Sequence, residues 1–191
     1  MEDYKPVSTP MITGCKLCVD DGSADIYQRL YRSMIGSLLC LTASRPDIVL
    51  SVGLVAIYQA APKQNHLLAI KRIFGYLQGI AHHGLWYPKG KKIILIAYTD
   101  ADWASCVDDR KSTSGGAFYL EKILVAWLSK KKTSISLSTA EAEYIAVVAC
   151  CRQVMWMKQT LQDIKVSIDE HISIKCDNTS AISISKNPVL H

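Results

Sequence analysis

The chain has 191 residues, of which 49% are hydrophobic, so it is long enough for one good core or two small ones and its composition excludes a disordered chain. A formal net charge of +5 is compatible with a nucleic-acid partner but is common among domains that bind none. Seven scattered cysteines favour reduced thiols in a cytosolic or nuclear protein over a disulfide framework. No apolar run is long enough to cross a bilayer, so no membrane segment is expected.

The chain begins with loop-like sequence and then takes on a helical pattern. Prolines and glycines between charged residues predict an extended segment or linker over residues 1–24. Asp25 is the candidate N-cap of a helix over about 26–43. The apolar stripe predicted for this helix consists of Leu30, Met34, Leu38 and Leu41.

Two further helical patterns follow. The first starts at Pro46, because proline suits the first helical turn, and covers about 46–60. The second covers about 66–78, with Asn65 as its candidate N-cap and Gly79 in the position of a C-cap glycine. The three helices together make residues 25–88 one helical segment.

The periodicity changes from helical to strand-like after a boundary near 88–91. Residues 92–99 are apolar and rich in branched side chains, which predicts a buried strand. Residues 115–120 and 123–128 predict two more strands, joined by a tight turn at Glu121-Lys122.

The last part of the chain mixes helix and strand. A long helix is predicted from Ser138 or Thr139 to about residue 163, and its apolar centre at 145–151 indicates burial against a sheet. A strand at 172–176 and a short helix at 179–186 follow. This order predicts an α/β (α+β) fold, with a mixed sheet and one long helix packed on it.

Three acidic positions are candidates for one shared site. Asp100 follows the first buried strand, Asp177 follows the last strand, and Glu141 and Glu143 open the long helix. A helix packed on a sheet can bring its first turns beside the strand ends, where clustered carboxylates repel one another unless a cation lies between them. Oxygen ligands suit Mg²⁺, and two ions that share three acids can support hydrolysis of a phosphodiester.

Each of these acids also has an ordinary structural explanation. Asp100 can cap a turn, Asp177 can cap the last helix, and Glu143 can be a solvated side chain. The remaining acids of this region are interpreted as ordinary loop residues: Asp102, Asp108 and Asp109.

The two glutamates of the long helix can be distinguished by their spacing. Ser138-Thr139-Ala140-Glu141 matches the capping-box pattern, in which the glutamate bonds back to the N-cap amide. Glu141 therefore has a structural role, whereas Glu143 is free to point inward. We prefer Glu143 as the metal ligand, with Glu141 as the alternative.

At this level of detail the sequence resembles a known family, the Pol polyprotein of plant copia-type LTR retrotransposons. The resemblance extends over nearly the whole chain and in the family's order, from the end of the reverse transcriptase into the ribonuclease H domain. The stretches that carry it are Leu30 to Leu39, Thr42 to Ile48, His66 to Gly79, Tyr98 to Ala104, Asp109 to Gly116, Leu137 to Tyr144, Cys176 to Ile182 and Lys186 to Pro188.

The resemblance implies a ribonuclease H-like fold over 91–191, preceded by a small thumb-like helical end of the reverse transcriptase. It implies two-metal hydrolysis of the RNA strand of an RNA/DNA hybrid during reverse transcription, with Asp100, Glu143 and Asp177 as catalytic metal ligands. The ions would be two Mg²⁺, with Mn²⁺ as a substitute. Glu143-Tyr144-Ile145-Ala146 looks like the Glu-x-x-Ala pattern that opens this helix in ribonucleases H.

The resemblance also implies partners and a location. The partners are an RNA/DNA hybrid and the remainder of the Pol polyprotein, in the cytoplasm within a virus-like particle or in the nucleus. Contacts to the nucleic-acid backbone, which position without reading sequence, are expected from basic and polar residues that form a solvated face in the alternative interpretation. These residues are Arg29, Arg32, Lys71, Arg72, Arg110, Lys111, Lys130 and Asn178.

Two departures from the family bear on activity. The Tyr-x-Asp-Asp motif of the polymerase is absent, so no DNA synthesis is expected. The family continues beyond the last residue of this chain with a fourth acid and the last strand of the sheet, so we expect a truncated ribonuclease H domain. Its enzymatic activity is thus an open question, and the alternative functions are a catalytically inactive nucleic-acid-binding remnant and a scaffold without a nucleic-acid partner.

Overall fold

The computed structural model describes residues 5–89, 94–166, 168 and 171–187. The chain divides into two units, and each is described by itself. The first unit is Met1–Leu85 with Cys106–Asp109, and the second is Trp86–Ser105 with Arg110–His191. Part of the predicted boundary at 88–91, and the first two residues of the strand predicted at 92–99, lie outside the described residues.

The first unit is built from helices. They are α1 at Gln28–Thr42, α2 at Val49–Ala56 and α3 at Gln64–Gly79, and a 3-10 turn at Pro46–Ile48 leads into α2. The three predicted helices are therefore present, although α2 ends at Ala56 and not near residue 60. Among the described residues, none of the helices combines the length and the hydropathy needed to cross a bilayer.

The buried stripe of α1 differs from the predicted one. Tyr31, Ile35 and Leu38 are buried, whereas Leu30 is 51% exposed and Leu41 is 40% exposed. Two apolar stripes at helical spacing share Leu38, so periodicity could not separate them. The structure selects the stripe with Tyr31 because its hydroxyl donates a hydrogen bond to the Val55 carbonyl at 2.7 Å inside the core.

The predicted caps of α1 and α3 are both wrong. The residue before α1 is Tyr27, which makes no side-chain cap, while the Asp25 carboxylate lies 3.0 Å from the Lys63 Nζ and its backbone pairs with that of Lys63. α3 is preceded by Lys63, whose amide donates to His66 Nδ1 at 3.0 Å, whereas Asn65 lies inside the helix. Asp25 thus takes part in a bridge between two chain segments that local sequence does not reveal, and Asn65 lies two residues after the other partner of that bridge.

Gly79 is not the predicted C-cap glycine either. It is the last residue of α3, and its φ is not among the positive values of the chain. A Cβ added at this position would lie 3.2 Å from the Cβ of Pro6. The glycine therefore permits close approach of the N-terminal segment, whose Val7 amide also donates to the Gly75 carbonyl at 3.4 Å.

The second unit contains a four-stranded mixed sheet. Its strands are β1 at Leu95–Ala101, β2 at Thr113–Leu120, β3 at Ile123–Lys131 and β4 at Ser173–Lys175. The spatial order is β3-β2-β1-β4, with antiparallel pairs except for β4, which is parallel to β1. The helices are α4 at Thr139–Asp163 and α5 at Thr179–Lys186. The predicted fold class, a mixed sheet with a long packed helix preceded by helices, is confirmed.

The core of the second unit lies between α4 and one face of the sheet. Cys150, Val154 and Met157 of α4 pack there with buried residues of β1 and β2. The predicted burial of 145–151 against the sheet is confirmed on one side of the helix by Ala146 and Cys150, whereas Val148 on the other side is 44% exposed. A single sheet covers only one side of a helix, so the apolar centre of α4 stays half open.

The start of α4 is fixed by side-chain hydrogen bonds. Ser138 Oγ accepts from the Glu141 amide at 3.1 Å, as the capping pattern predicts. The Glu141 carboxylate accepts from the Leu137 amide at 2.7 Å, one residue earlier than expected. Glu141 therefore has the structural role assigned to it, and the first turn of α4 is held in register.

We predict that Ser138→Ala destabilises the second unit by about 1 kcal/mol, because an orphan amide of α4 loses its acceptor. All four tryptophans of the chain lie in this unit, so urea denaturation followed by tryptophan fluorescence reports on it selectively. Thr139→Ala is the matched control. An equal effect of both substitutions would show that the cap is not the cause.

Candidate metal centre

Three elements bring the predicted acids to one edge of the sheet. β1 and β4 are parallel neighbours with Tyr98 opposite Lys175, and extension of this register by two residues places Asp100 opposite Asp177. α4 packs against β1 and carries Glu143 in its first two turns. Parallel strands end at the same edge, so the two aspartates and the start of α4 converge there.

Glu143 is the buried member of this group. It is only 6% exposed, and its Oε1 accepts a hydrogen bond from the Ala101 amide at 3.2 Å. Burial raises the pKa of the Glu143 carboxyl, the Ala101 hydrogen bond opposes this, and the negative charges of Asp100 and Asp177 raise the pKa further. A buried carboxylate with two acidic neighbours is thus held in place by one backbone donor.

The donor set is suitable for a divalent cation. Ligand atoms of Glu143, Cys176 and Asp177 all lie within 4.8 Å of one another, and the negative charge of Asp100 acts on Glu143. Carboxylate oxygens are the ligands that Mg²⁺ and Mn²⁺ prefer, and a cation would relieve the repulsion that raises the pKa of Glu143. The carboxylate of Glu141 binds the Leu137 amide instead, so the geometry favours Glu143 over Glu141.

Cys176 belongs to this cluster although the sequence analysis did not select it. Its Sγ lies 4.0 Å from Glu143 Oε2. Burial raises the pKa of the thiol, and the charges of Glu143, Asp177 and Asp100 raise it further. A raised pKa disfavours the thiolate, so the carboxylates are the stronger candidates for cation ligands. Its place directly before Asp177 was the available signal.

Lys132 is a second neighbour that sequence reasoning missed. Its Nζ donates to the Ala142 carbonyl in the first turn of α4. Burial lowers the pKa of the Lys132 ammonium, while the charges of Glu143, Asp102 and Glu141 oppose this effect. A cation thus lies beside the acidic cluster. Only its membership of a three-lysine run marked it in the sequence.

Two of the predicted loop acids have structural partners. Asp102 accepts hydrogen bonds from the Thr113 amide and the Ser105 hydroxyl, both at 2.6 Å, and so fastens the loop that follows β1. Asp108, in the first unit, accepts from the Val19 amide at 2.9 Å and from the Tyr58 hydroxyl at 3.2 Å. These contacts agree with their interpretation as loop residues.

A groove of about 550 Å³ opens beside Asp100, and Gly115 of β2 forms part of its wall. Gly115 pairs with Asp100 across the strands, so a side chain at either position stands on the same face. A Cβ at Gly115 would contact nothing closer than the Asp100 carbonyl at 3.8 Å, whereas a Cβ at Gly116 would lie 3.1 Å from Leu128 Cγ. A side chain would be crowded at position 116 but not at position 115, where the glycine keeps the groove open because it has no side chain.

The basic residues predicted to contact nucleic acid in the first unit lie on α1 and α3. Arg29 is exposed. Arg32 donates to the Gln59 carbonyl at 3.1 Å, and Arg72 donates to the Thr9 hydroxyl at 2.8 Å. Lys71 is half-buried. Two of the four side chains thus already hold other parts of the unit.

The candidates of the second unit are spread over its loops and strand ends. Arg110 is exposed and has a φ of 55°. Lys111 is half-buried, and Lys130 is exposed near the end of β3. Asn178 Oδ1 accepts from the Ala181 amide at 2.9 Å and so caps α5. Their contacts with nucleic acid stay predictions.

Comparison with known proteins gives relatives over the whole chain, although no family model matches it. The chain is 37% identical over 187 residues to the retrovirus-related Pol polyprotein from transposon RE2 of Arabidopsis thaliana, which covers 98% of the chain and 13% of that protein. It is 36% identical over 198 residues to the corresponding polyprotein from transposon TNT 1-94 of Nicotiana tabacum, which covers 100% of the chain and 15% of that protein. The chain thus spans less than a sixth of the length of these relatives.

One solved structure shows a likeness at low identity. It is the crystal structure of LC11-RNase H1 in complex with an RNA/DNA hybrid, with 13% sequence identity and a TM-score of 0.36. The matched region covers 51% of this chain and 62% of that chain.

We predict that Glu143→Gln stabilises the metal-free protein at neutral pH. The pKa of Glu143 is raised in the folded state. Ionisation of this carboxyl therefore destabilises the fold once the pH rises above its pKa in the unfolded chain. The loss of stability is complete when the pH exceeds its pKa in the folded protein. The gain in melting temperature should therefore vanish at a pH below both values.

Thermal denaturation in a chelator across this pH range tests the prediction. Glu141→Gln is the control, because Glu141 bonds an exposed backbone amide at the helix start. A variant of Glu143 that is less stable than the wild type at neutral pH would show that the carboxylate stabilises the unit without a cation.

Proposed function

The chain belongs to the family of retrovirus-related Pol polyproteins of plant transposons, and from this premise we propose that its second unit is a ribonuclease H domain. It hydrolyses the RNA strand of RNA/DNA hybrids with the help of two divalent cations. The observation that supports this best is the convergence of Asp100, Glu143 and Asp177 from three elements on one edge of the sheet.

Asp100, Glu143 and Asp177 would hold the cations, with Mg²⁺ as the expected metal and Mn²⁺ as a substitute. Bound divalent ions supply the Lewis acidity that polarises a phosphodiester and activates water. The Ala101 amide orients the Glu143 carboxylate toward the cluster. The groove beside Asp100 leaves room for the sugar-phosphate of the substrate, and Gly115 places no side chain in its way.

A second candidate function is that of an inactive remnant that binds nucleic acid without cleaving it. The presence of Lys132 supports it, because this ammonium lies near Glu143 and offsets part of the negative charge that would attract a cation. The two functions make opposite predictions about catalysis and similar ones about binding.

We predict that the intact chain cleaves an end-labelled RNA/DNA hybrid with Mg²⁺ and that Asp100→Asn lowers the rate by at least about 100-fold, because a ligand of the cations is lost. Binding of the hybrid should be unchanged or stronger, since one negative charge near the phosphates is removed. Asp102→Asn is the matched control, because Asp102 bonds loop groups of the protein.

Absence of cleavage by the folded wild-type chain, together with retained binding, would favour the inactive remnant. Cleavage that persists unchanged in Asp100→Asn would contradict the proposed site.

We predict that Gly115→Val retains or raises the melting temperature but lowers the rate of hybrid cleavage by about 100-fold, because the new side chain fills the groove where the substrate must lie. Gly116→Ala is expected to lower the melting temperature, because its Cβ approaches Leu128, and to retain the rate of hybrid cleavage. The measurements are thermal denaturation and the cleavage assay for both variants. Full activity of Gly115→Val would show that the substrate does not enter this groove.

A further inference from the structure

A second groove of the same unit lies between the end of β3 and α4. Its volume is about 480 Å³, and four cationic side chains line it together with the hydroxyl groups of Thr133 and Ser134. Acidic side chains are absent from its lining among the residues that the structure describes. The four cations are Lys130, Lys131, Lys132 and Arg152.

The α4 wall of this groove is one face of the helix. Ile145, Ala149 and Arg152 line it at the spacing of successive helical turns. The two aliphatic side chains form an apolar floor, and Arg152 adds a charge farther along the same face. The strand wall ends in the three consecutive lysines, so the positive charges lie on both sides of the floor.

The cations at the two ends of the lining set are accessible to a ligand. Lys130 and Arg152 are both exposed. In the part of the chain that the structure describes, neither side chain forms an ion pair. Lys130 and Arg152 therefore bring two positive charges to the groove, and both attract an anion that binds between them.

We propose that this groove binds the phosphodiester backbone of nucleic acid at a point separate from the acidic cluster. Lysine and arginine neutralise phosphates irrespective of base sequence, and hydroxyl groups add hydrogen bonds to phosphate oxygens. Ser114 and Gln153 also line the groove and can add hydrogen bonds to phosphate oxygens. Because four cationic side chains line it, the groove is an anchor that depends on phosphate more than on base sequence.

Lys132 connects the groove with the acidic cluster. It lines the groove, and its charge interacts with that of Glu143. A strand with one phosphate at the cluster can thus continue past Lys132 toward Arg152. The assignment of the RNA/DNA hybrid as the bound nucleic acid rests on the proposed function, whereas phosphate binding by the groove requires neither metal nor cleavage.

The test compares two double variants that remove the same charge. Lys130→Gln with Arg152→Gln alters the groove, and Lys122→Gln with Lys186→Gln alters exposed cations elsewhere in the same unit. Binding of a labelled RNA/DNA hybrid and of a DNA duplex of equal length is measured by fluorescence anisotropy in a chelator at several salt concentrations. Circular dichroism verifies that both variants fold.

We expect the groove variant to bind both duplexes about tenfold more weakly than the control variant. Its slope of log K against log salt should fall by about 2, since about 0.9 counterions are released for each phosphate contact. A similar loss for hybrid and DNA identifies phosphate as the ligand. Equal binding by the two variants, or an unchanged slope, would overturn the proposal, as would undetectable binding by the wild-type chain at low salt.

The outcome is distinguishable from that of the proposed function. A groove variant that binds weakly, alongside a wild-type chain that does not cleave, would support the anchor and reject the nuclease. A wild-type chain that cleaves, together with a groove variant that binds normally, would support the nuclease and reject the anchor.

Discussion

The functional interpretation of the second unit depends on one buried carboxylate. Glu143 is accommodated because the Ala101 amide, at the end of β1, donates to it where α4 meets the sheet. The same contact keeps Glu143 beside Asp100 and Asp177, so the position of the helix and the composition of the site are set together. Burial and the charges of the two aspartates raise the pKa of Glu143. A bound divalent cation would remove the part of this rise that comes from charge repulsion. In this respect the unit gives up some stability to hold a charged cluster.

Much of the fold could be predicted because its signals are local. The change from helical to strand periodicity, the tight turn at Glu121 and the cap at Ser138 depend on neighbouring residues only. The errors arose where distant segments decide the outcome. The buried stripe of α1 contains Tyr31 because its hydroxyl bonds the Val55 carbonyl. Asp25 pairs with Lys63 and does not cap α1. Gly79 permits the close approach of the N-terminal segment.

The same distinction applies to the site. The convergence of the three acids was predictable because each lies at a strand end or a helix start, and the capping pattern identified the structural role of Glu141. Cys176 was missed although it directly precedes Asp177, whereas Lys132 was missed because its place beside Glu143 follows only from the packing of α4 on the sheet. The positive groove combines a lysine run at the end of β3 with Arg152, some 20 residues later on α4, and only the packing of helix on sheet brings them together.

The central claim is that the three carboxyl groups form a divalent-metal site, and direct titration with Mn²⁺ tests it most simply. Free aqueous Mn²⁺ gives an electron paramagnetic resonance signal that is lost on binding. The loss of signal therefore reports metal binding directly, without a nucleic-acid substrate. We predict saturable binding to the wild-type chain that is about tenfold or more weaker in Asp177→Asn. Equal binding by both proteins, or none by the folded wild type, would contradict it.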